Sequence, residues 1–228
     1  MSESEYDLQQ LPQSEPVAAN PEYRERRRLA AALRRIIDRL VRVEAPQQKL
    51  TQWADQAEQW ADDVASHPRR QQQPLLMRLW TGKGSQQDAL DMGDHDIMTG
   101  LSAAMAPPLE LWLDGDVVRG RATLGPAWQG PPGRVHGGVV ALMLDILMAK
   151  CQDLVHGLGM TGTLNIRYQA GTPLRKEVLM EARIQRIEGR KMFVEGRFFV
   201  DGEQTVLAEG IWISMQEPYR WRDGHGPQ

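Results

Sequence analysis

One stretch of this chain limits its fold more than any other: an apolar helix, Val139 to about Cys151, with a single carboxylate in its middle. It is entered directly from a Pro/Gly loop, Gln129-Gly130-Pro131-Pro132-Gly133-Arg134-Val135-His136-Gly137-Gly138. A helix that is apolar nearly all round belongs inside a fold, so something must wrap it. Asp145 sits among Ala141, Leu142, Met143, Leu144, Ile146, Leu147, Met148 and Ala149. An unpaired carboxylate buried there costs several kcal/mol or more, so it is either satisfied by a partner or used. From the residues alone both readings stay open. Gly137 and Gly138 at the helix start allow a ligand or another backbone to come close. The first amides of a helix have no partner within it and carry the positive end of its dipole, which suits an anion or a developing oxyanion.

What wraps the helix is legible as strands with a period of two. Leu109, Leu111 and Leu113 alternate, Asp114-Gly115 signals a turn, and Val117 to Leu124 continues. After the helix, Thr163 to Tyr168 carries Leu164, Ile166 and Tyr168 on one face. Val178, Met180, Ala182 and Ile184 form a further set, then Met192, Val194, Phe198 and Val200, then Val206, Ala208 and Trp212. Glu188-Gly189-Arg190 and Asp201-Gly202 mark turns between them. Strands, one central helix, then strands joined by hairpins predict an antiparallel sheet packed on a helix, an α+β layout.

The rest of the chain divides by composition. Residues 1–20 are polar and acidic and are expected to be a disordered tail. Within 21–67, Leu29, Leu33, Ile36, Leu40 and Val43 form one apolar stripe on a helix running to about Val43, ended by Ala45-Pro46. Leu50, Trp53, Ala57, Trp60 and Val64 form a second stripe, ended by His67-Pro68. Two such helices make a hairpin whose seam must be buried by the other helix, by the following domain or by another subunit. Residues 68–106, with QQQP, TGKGSQQ and DMGDHD, read as a linker with one short helix. The strands and central helix occupy 107–216, and 217–228 is a C-terminal tail. The chain has 228 residues, 41% hydrophobic content and a net charge of −3, enough for one ordinary domain plus an appendage, with no global sign of a nucleic-acid partner. No recognition-helix pattern is legible in 21–67. No apolar run approaches the ~18–20 residues that span a bilayer. The single cysteine, Cys151, excludes an internal disulfide and reads as core rather than nucleophile. The N-terminus lacks the basic start and apolar core of a signal peptide, so the cytoplasm is the expected compartment. Asp91, Asp94, His95 and Asp96 lack metal-ligand spacing and read as a solvated loop. The arginines from Arg24 to Arg35 read as a solvated helix face, and Arg175 and Lys176 as weak candidates for a phosphate contact.

The loop, the HGG, the Asp nine residues after the His, Thr161 and the strand ending in Tyr168 together resemble the hotdog-fold thioesterases. The likeness is to the acyl-CoA thioesterase branch with a GPPGxxHGG loop, and it covers roughly 107–215. It implies a hotdog fold, a sheet wrapped around the central helix, with the N-terminal helices as an extension. It implies hydrolysis of acyl-CoA to free acid and CoA, with no cofactor and no metal. Asp145 corresponds to the catalytic acid, as general base or nucleophile. Thr161 corresponds to the hydroxyl that orients water or substrate, His136 to the motif histidine, and Gly137 and Gly138 to the oxyanion-binding glycines. Gly130 departs from the pattern: many phenylacetyl-CoA-type relatives carry Asn six residues before that histidine.

Geometry adds one expectation. Gly138 and Asp145 lie ~10 Å apart along one helix at 1.5 Å per residue, too far to act on one carbonyl carbon. A site built across a homodimer, or a higher homo-oligomer, brings the glycine end of one helix to the Asp of another, and the family's interface sites resemble this. Two competing functions fit the same fold. One is a non-catalytic acyl-CoA-binding sensor, disfavoured by Asp145, His136 and Thr161 occurring together. The other is an acyl-CoA hydratase, whose loop pattern is not found.

Overall fold

The computed structural model describes residues 21–68, 78, 83, 85–96, 98–215 and 217–226. The expected tail at 1–20 and much of the QQQP and TGKGSQQ stretch lie outside them. Three helices come first: α1 (Pro21–Leu40), α2 (Gln47–Ser66) and α3 (Gln86–His95). Strands β1 (Leu109–Asp114) and β2 (Val117–Thr123) lead through the Pro/Gly loop into the central helix α4 (Gly137–Ala149). A 3₁₀ turn (Lys150–Leu154) and a short strand β3 (Val155–His156) follow. Then come β4 (Gly159–Tyr168), β5 (Glu177–Glu188), β6 (Lys191–Val200), β7 (Glu203–Ser214) and β8 (Arg220–Trp221).

Six strands form one antiparallel sheet in the order β1-β2-β5-β6-β7-β4. The turn signals act as their chemistry demands. Asp201 and Gly202 both have positive φ, 53° and 84°, which closes the tight hairpin between β6 and β7. Alternate residues of the strands, among them Val118, Met180, Val194, Phe198 and Trp212, point to one face and are buried there. α4 lies on that face and presents Val140, Met143, Leu144, Leu147 and Met148, all buried. Cys151 is fully buried beside them, and that burial pushes its thiol up to about 12, as a core residue requires. This is the expected α+β layout of a sheet around a helix.

Four expectations need correction. α4 is not buried all round: Leu142, Asp145, Ile146 and Ala149 are half-exposed, because the sheet covers only one side of the helix. The 217–228 stretch is no loose tail over its described part. β8 pairs with β3, Tyr219 is buried, and the Arg222 guanidinium donates to the Val155 carbonyl. The DMGDHD segment is not a solvated loop either. Asp94 is buried at the end of α3, where it accepts from Arg27 Nε at 2.6 Å and from the Ser102 hydroxyl. Among the described residues no group of acidic, His or Cys side chains could hold a metal ion. Finally, the arginine run is not all solvated. α1 docks through Tyr23, Ala30 and Arg34, with Arg34 Nη1 donating to the Ala103 carbonyl at 2.6 Å and Tyr23 stacked on His95. The apolar stripe of α1 lies beside this docked face and stays open, and α2 is exposed along its whole length. Among the described residues no helix is long and apolar enough to cross a membrane.

Candidate active site

The loop before α4 is held rigid by its own backbone. Gly130 N–H donates to the Arg134 carbonyl, Arg134 N–H to Pro131, Leu174 N–H to Gly133, Val135 N–H to Thr172 and His136 N–H to Trp128. Gly130 is needed because a Cβ built there would lie 2.8 Å from the His136 Cα. The Asn carried here by many phenylacetyl-CoA-type relatives would therefore clash with this loop.

The loop delivers His136 as the N-cap of α4. Its Nδ1 accepts from the Gly138 N–H at 3.0 Å. That assigns the ring proton of the neutral tautomer to Nε2, which is left free to donate. The two glycine amides therefore differ. Gly138 spends its N–H on His136, while the N–H of Gly137, first in the helix, has no acceptor among the described residues. The Gly137 carbonyl is held from the other side by the Tyr168 hydroxyl, which donates to it at 2.9 Å. Tyr168 was legible only as a strand residue, because the contact joins positions 31 apart in sequence.

Asp145 faces out of the sheet-covered side of α4, into a cleft of about 730 Å³. Its walls come from α4 (Leu142, Ile146, Ala149), from β1 (Leu109, Leu111) and from Met98, Leu101 and Leu158. Polar groups share the lining, among them Asp96, Glu110, Lys150, Gln152 and Asp153, and the Asp145 carboxylate is half-exposed. Thr161 donates its hydroxyl to Asp145 Oδ1 at 2.7 Å.

Strict alternation along β4 would have pointed Thr161 the wrong way. Leu164 and Ile166 face the helix, so Thr161, an odd number of residues away from both, belongs on the far face. A bulge solves this. Thr161 pairs with Trp212 and Thr163 with Ile211, so Gly162 is the unpaired extra residue and Thr161 turns back toward α4. The structure thus brings Asp145 and Thr161 together, and separately His136, Gly137 and Gly138. Eight helical steps from Gly137 to Asp145 set the two groups ~12 Å apart at 1.5 Å per residue.

Thr161→Val should keep the fold, since Thr161 is exposed, and should slow turnover roughly 10- to 100-fold, the worth of a hydrogen bond to a charged group of about 1.5–3 kcal/mol. Thr161→Ser should recover most of the loss. Steady-state kinetics on the two variants checks this, and a Val variant as fast as the parent would remove Thr161 from the site.

Comparison with known proteins bears on the family. A family profile described as Thioesterase superfamily matches residues 132–207, from the Pro/Gly loop into β7. Acyl-coenzyme A thioesterase THEM4 of Mus musculus is 40% identical over 88 residues, 39% of this chain and 38% of that protein. Acyl-coenzyme A thioesterase THEM5 of Homo sapiens is 32% identical over 90 residues, 39% of this chain and 36% of that one. The matches to these curated relatives thus take in less than half of their length. A crystal structure of a thioesterase superfamily protein is 31% identical, with a TM-score of 0.70, and the match covers 83% of this chain and 90% of that one. That share exceeds what residues 107–226 supply, so it reaches into the N-terminal helices. With the helix, the sheet and most of the chain shared at this identity, the protein belongs to the thioesterase superfamily.

Proposed function

We propose that the chain hydrolyses acyl-CoA thioesters at a site shared by two copies, Asp145 and Thr161 from one and Gly137 from the other. The observation that carries this reading is the Thr161–Asp145 pair at 2.7 Å, with Asp145 lining a cleft, and the Gly137 amide, which has no acceptor among the described residues, at the start of the same helix. The half-exposed apolar face of α4 and the unpaired outer edge of β4 support a second copy, since both are surfaces that a partner would cover.

In this scheme the acyl carbonyl oxygen accepts from the Gly137 N–H, where the helix dipole adds to the hydrogen bond. The Thr161 hydroxyl holds one oxygen of Asp145, and the other is free to act. As general base it takes a proton from water as the water oxygen bonds to the carbonyl carbon. The tetrahedral intermediate then collapses, the C–S bond breaks, and the CoA thiolate takes the proton back. As nucleophile Asp145 bonds to the carbonyl carbon itself, expels CoA, and water then cleaves the mixed anhydride. His136 holds the loop and offers Nε2–H beside the carbonyl. The acyl-coenzyme A thioesterase names of the relatives support this substrate class.

Purified protein should release free CoA thiol from a panel of acyl-CoAs of increasing chain length. Tight binding of acyl-CoA without thiol release on any chain would replace the enzyme with a sensor.

A further inference from the structure

The cleft that holds Asp145 is not built by the thioesterase-like part alone. The family profile begins at residue 132, but Met98 and Leu101, which precede β1, also line the cleft. They share it with Leu142 and Ile146 of α4 and with Leu109 and Leu111 of β1. Both side chains are half-buried in the single chain.

The loop that carries them is held in one shape. Asp96 Oδ1 accepts from the Met98 and Thr99 amides, both at 2.9 Å, and from the Thr99 hydroxyl at 3.0 Å. The Gly100 amide closes on the Asp96 carbonyl at 2.8 Å. Both ends of the loop are tied to α1. At one end buried Asp94 takes Arg27 Nε at 2.6 Å, and its carbonyl accepts from the Ser102 amide at 3.1 Å. At the other end Arg34 Nη1 donates to the Leu101 carbonyl at 3.3 Å and to the Ala103 carbonyl at 2.6 Å. Arg34 is only 8% exposed, so water does not readily replace these bonds. α1 therefore fixes the backbone at Leu101 and leaves its side chain to the cleft.

Taking Asp145 as the place of the thioester, we infer that Met98 and Leu101 close off the acyl end of the cleft and select chain length, with Arg34 as the residue that positions them. An acyl carbonyl at Asp145 puts the carbons attached to it beside Leu142 and Ile146, its neighbours on α4. Lys150, Gln152 and Asp153 give the cleft a polar part at the C-terminal end of α4, which an alkyl chain avoids. The surface left for it is apolar, and Met98 and Leu101 belong to that surface. Each methylene buried there should raise affinity about 4-fold. A chain long enough to meet a loop tied at both ends gains nothing from further carbons.

The probes are S-alkyl-CoA thioethers, butyl to hexadecyl, which lack the carbonyl and cannot be hydrolysed. Calorimetry on the full-length protein should show affinity rising about 4-fold per methylene up to a limiting length and no further. Leu101→Trp should lower that limit and weaken the longer probes roughly 10- to 100-fold, the worth of about two or three methylenes, with the butyl probe unaffected. Leu101→Ala should raise the limit. Met98→Trp gives the same reading as Leu101→Trp should the latter fail to fold by circular dichroism. Arg34→Lys keeps the charge but loses the fork that reaches two carbonyls, and should blur the limit while butyl affinity stays. A limiting length that none of the variants at 98 and 101 moves overturns the inference, as does parental affinity that is absent or independent of chain length. A parental profile in Arg34→Lys overturns the part given to α1. Thiol release from the matching acyl-CoAs is followed in parallel. Hydrolysis whose length preference ignores residues 98 and 101 counts against this wall alone. Thioether binding that those residues limit, without hydrolysis of any chain, counts against the thioesterase alone.

Discussion

An Asp145→Asn protein should fold like its parent and hydrolyse acyl-CoA on the order of 10²–10⁴-fold more slowly. The fold is not at risk because Asp145 sits on the half-exposed face of α4 rather than in its core. The amide has the shape of the carboxylate, and its oxygen still accepts from the Thr161 hydroxyl, so the local geometry persists. What it lacks is basicity and nucleophilicity, and either role for Asp145 fails with them. Circular dichroism and thermal unfolding check the fold, and kcat checks the chemistry. A folded variant with near-parental kcat would take Asp145 out of the reaction.

The second large effect is expected at Gly137. Gly137→Pro removes one N–H and little else. Proline is well tolerated at the first helical position, where the amide has no intrahelical partner. The preceding His136 already has φ −62° and ψ 134°, the backbone that a residue before proline adopts. A Cβ at 137 meets nothing closer than the Tyr168 hydroxyl at 3.7 Å, an ordinary contact. The His136–Gly138 cap is untouched. Loss of this one oxyanion donor should cost about 10²–10³ in kcat with the fold retained. Unchanged kcat would move the oxyanion contact elsewhere, to His136 Nε2 first.

Much of this was readable in the residues before any coordinates, and for physical reasons. Alternation marked the large strands because each buries one face only. The turns at Gly115, Gly189 and Gly202 were readable because each needs positive φ. Asp145 stood out as the one charge in an apolar helix. What escaped depended on contacts between positions far apart in the chain. Arg27 and Asp94 are 67 residues apart, and neither predicts the other, so in sequence the docked face of α1 reads as a solvated one. The apolar stripes were legible, but that they face out was not, since periodicity says which residues share a face and not what covers it. Thr161 is a sharper case. Its place in the motif and its parity in β4 disagreed, and only the bulge at Gly162 reconciles them. Likewise two adjacent glycine amides look alike in sequence, and the His136 side chain tells them apart by occupying one.

A site shared between copies is tested most directly by mixing two dead proteins. Asp145→Asn homodimers lack the carboxylate at both sites, and Gly137→Pro homodimers lack the amide at both. In a heterodimer one site carries both lesions and the other carries neither. After unfolding and refolding together, or after proven subunit exchange, the mixture should recover about one quarter of parental activity, the share fixed by random assortment into two-fold dimers. If the mixture stays as inactive as its components while heterodimers are demonstrably present, Asp145 and Gly137 do not meet across an interface.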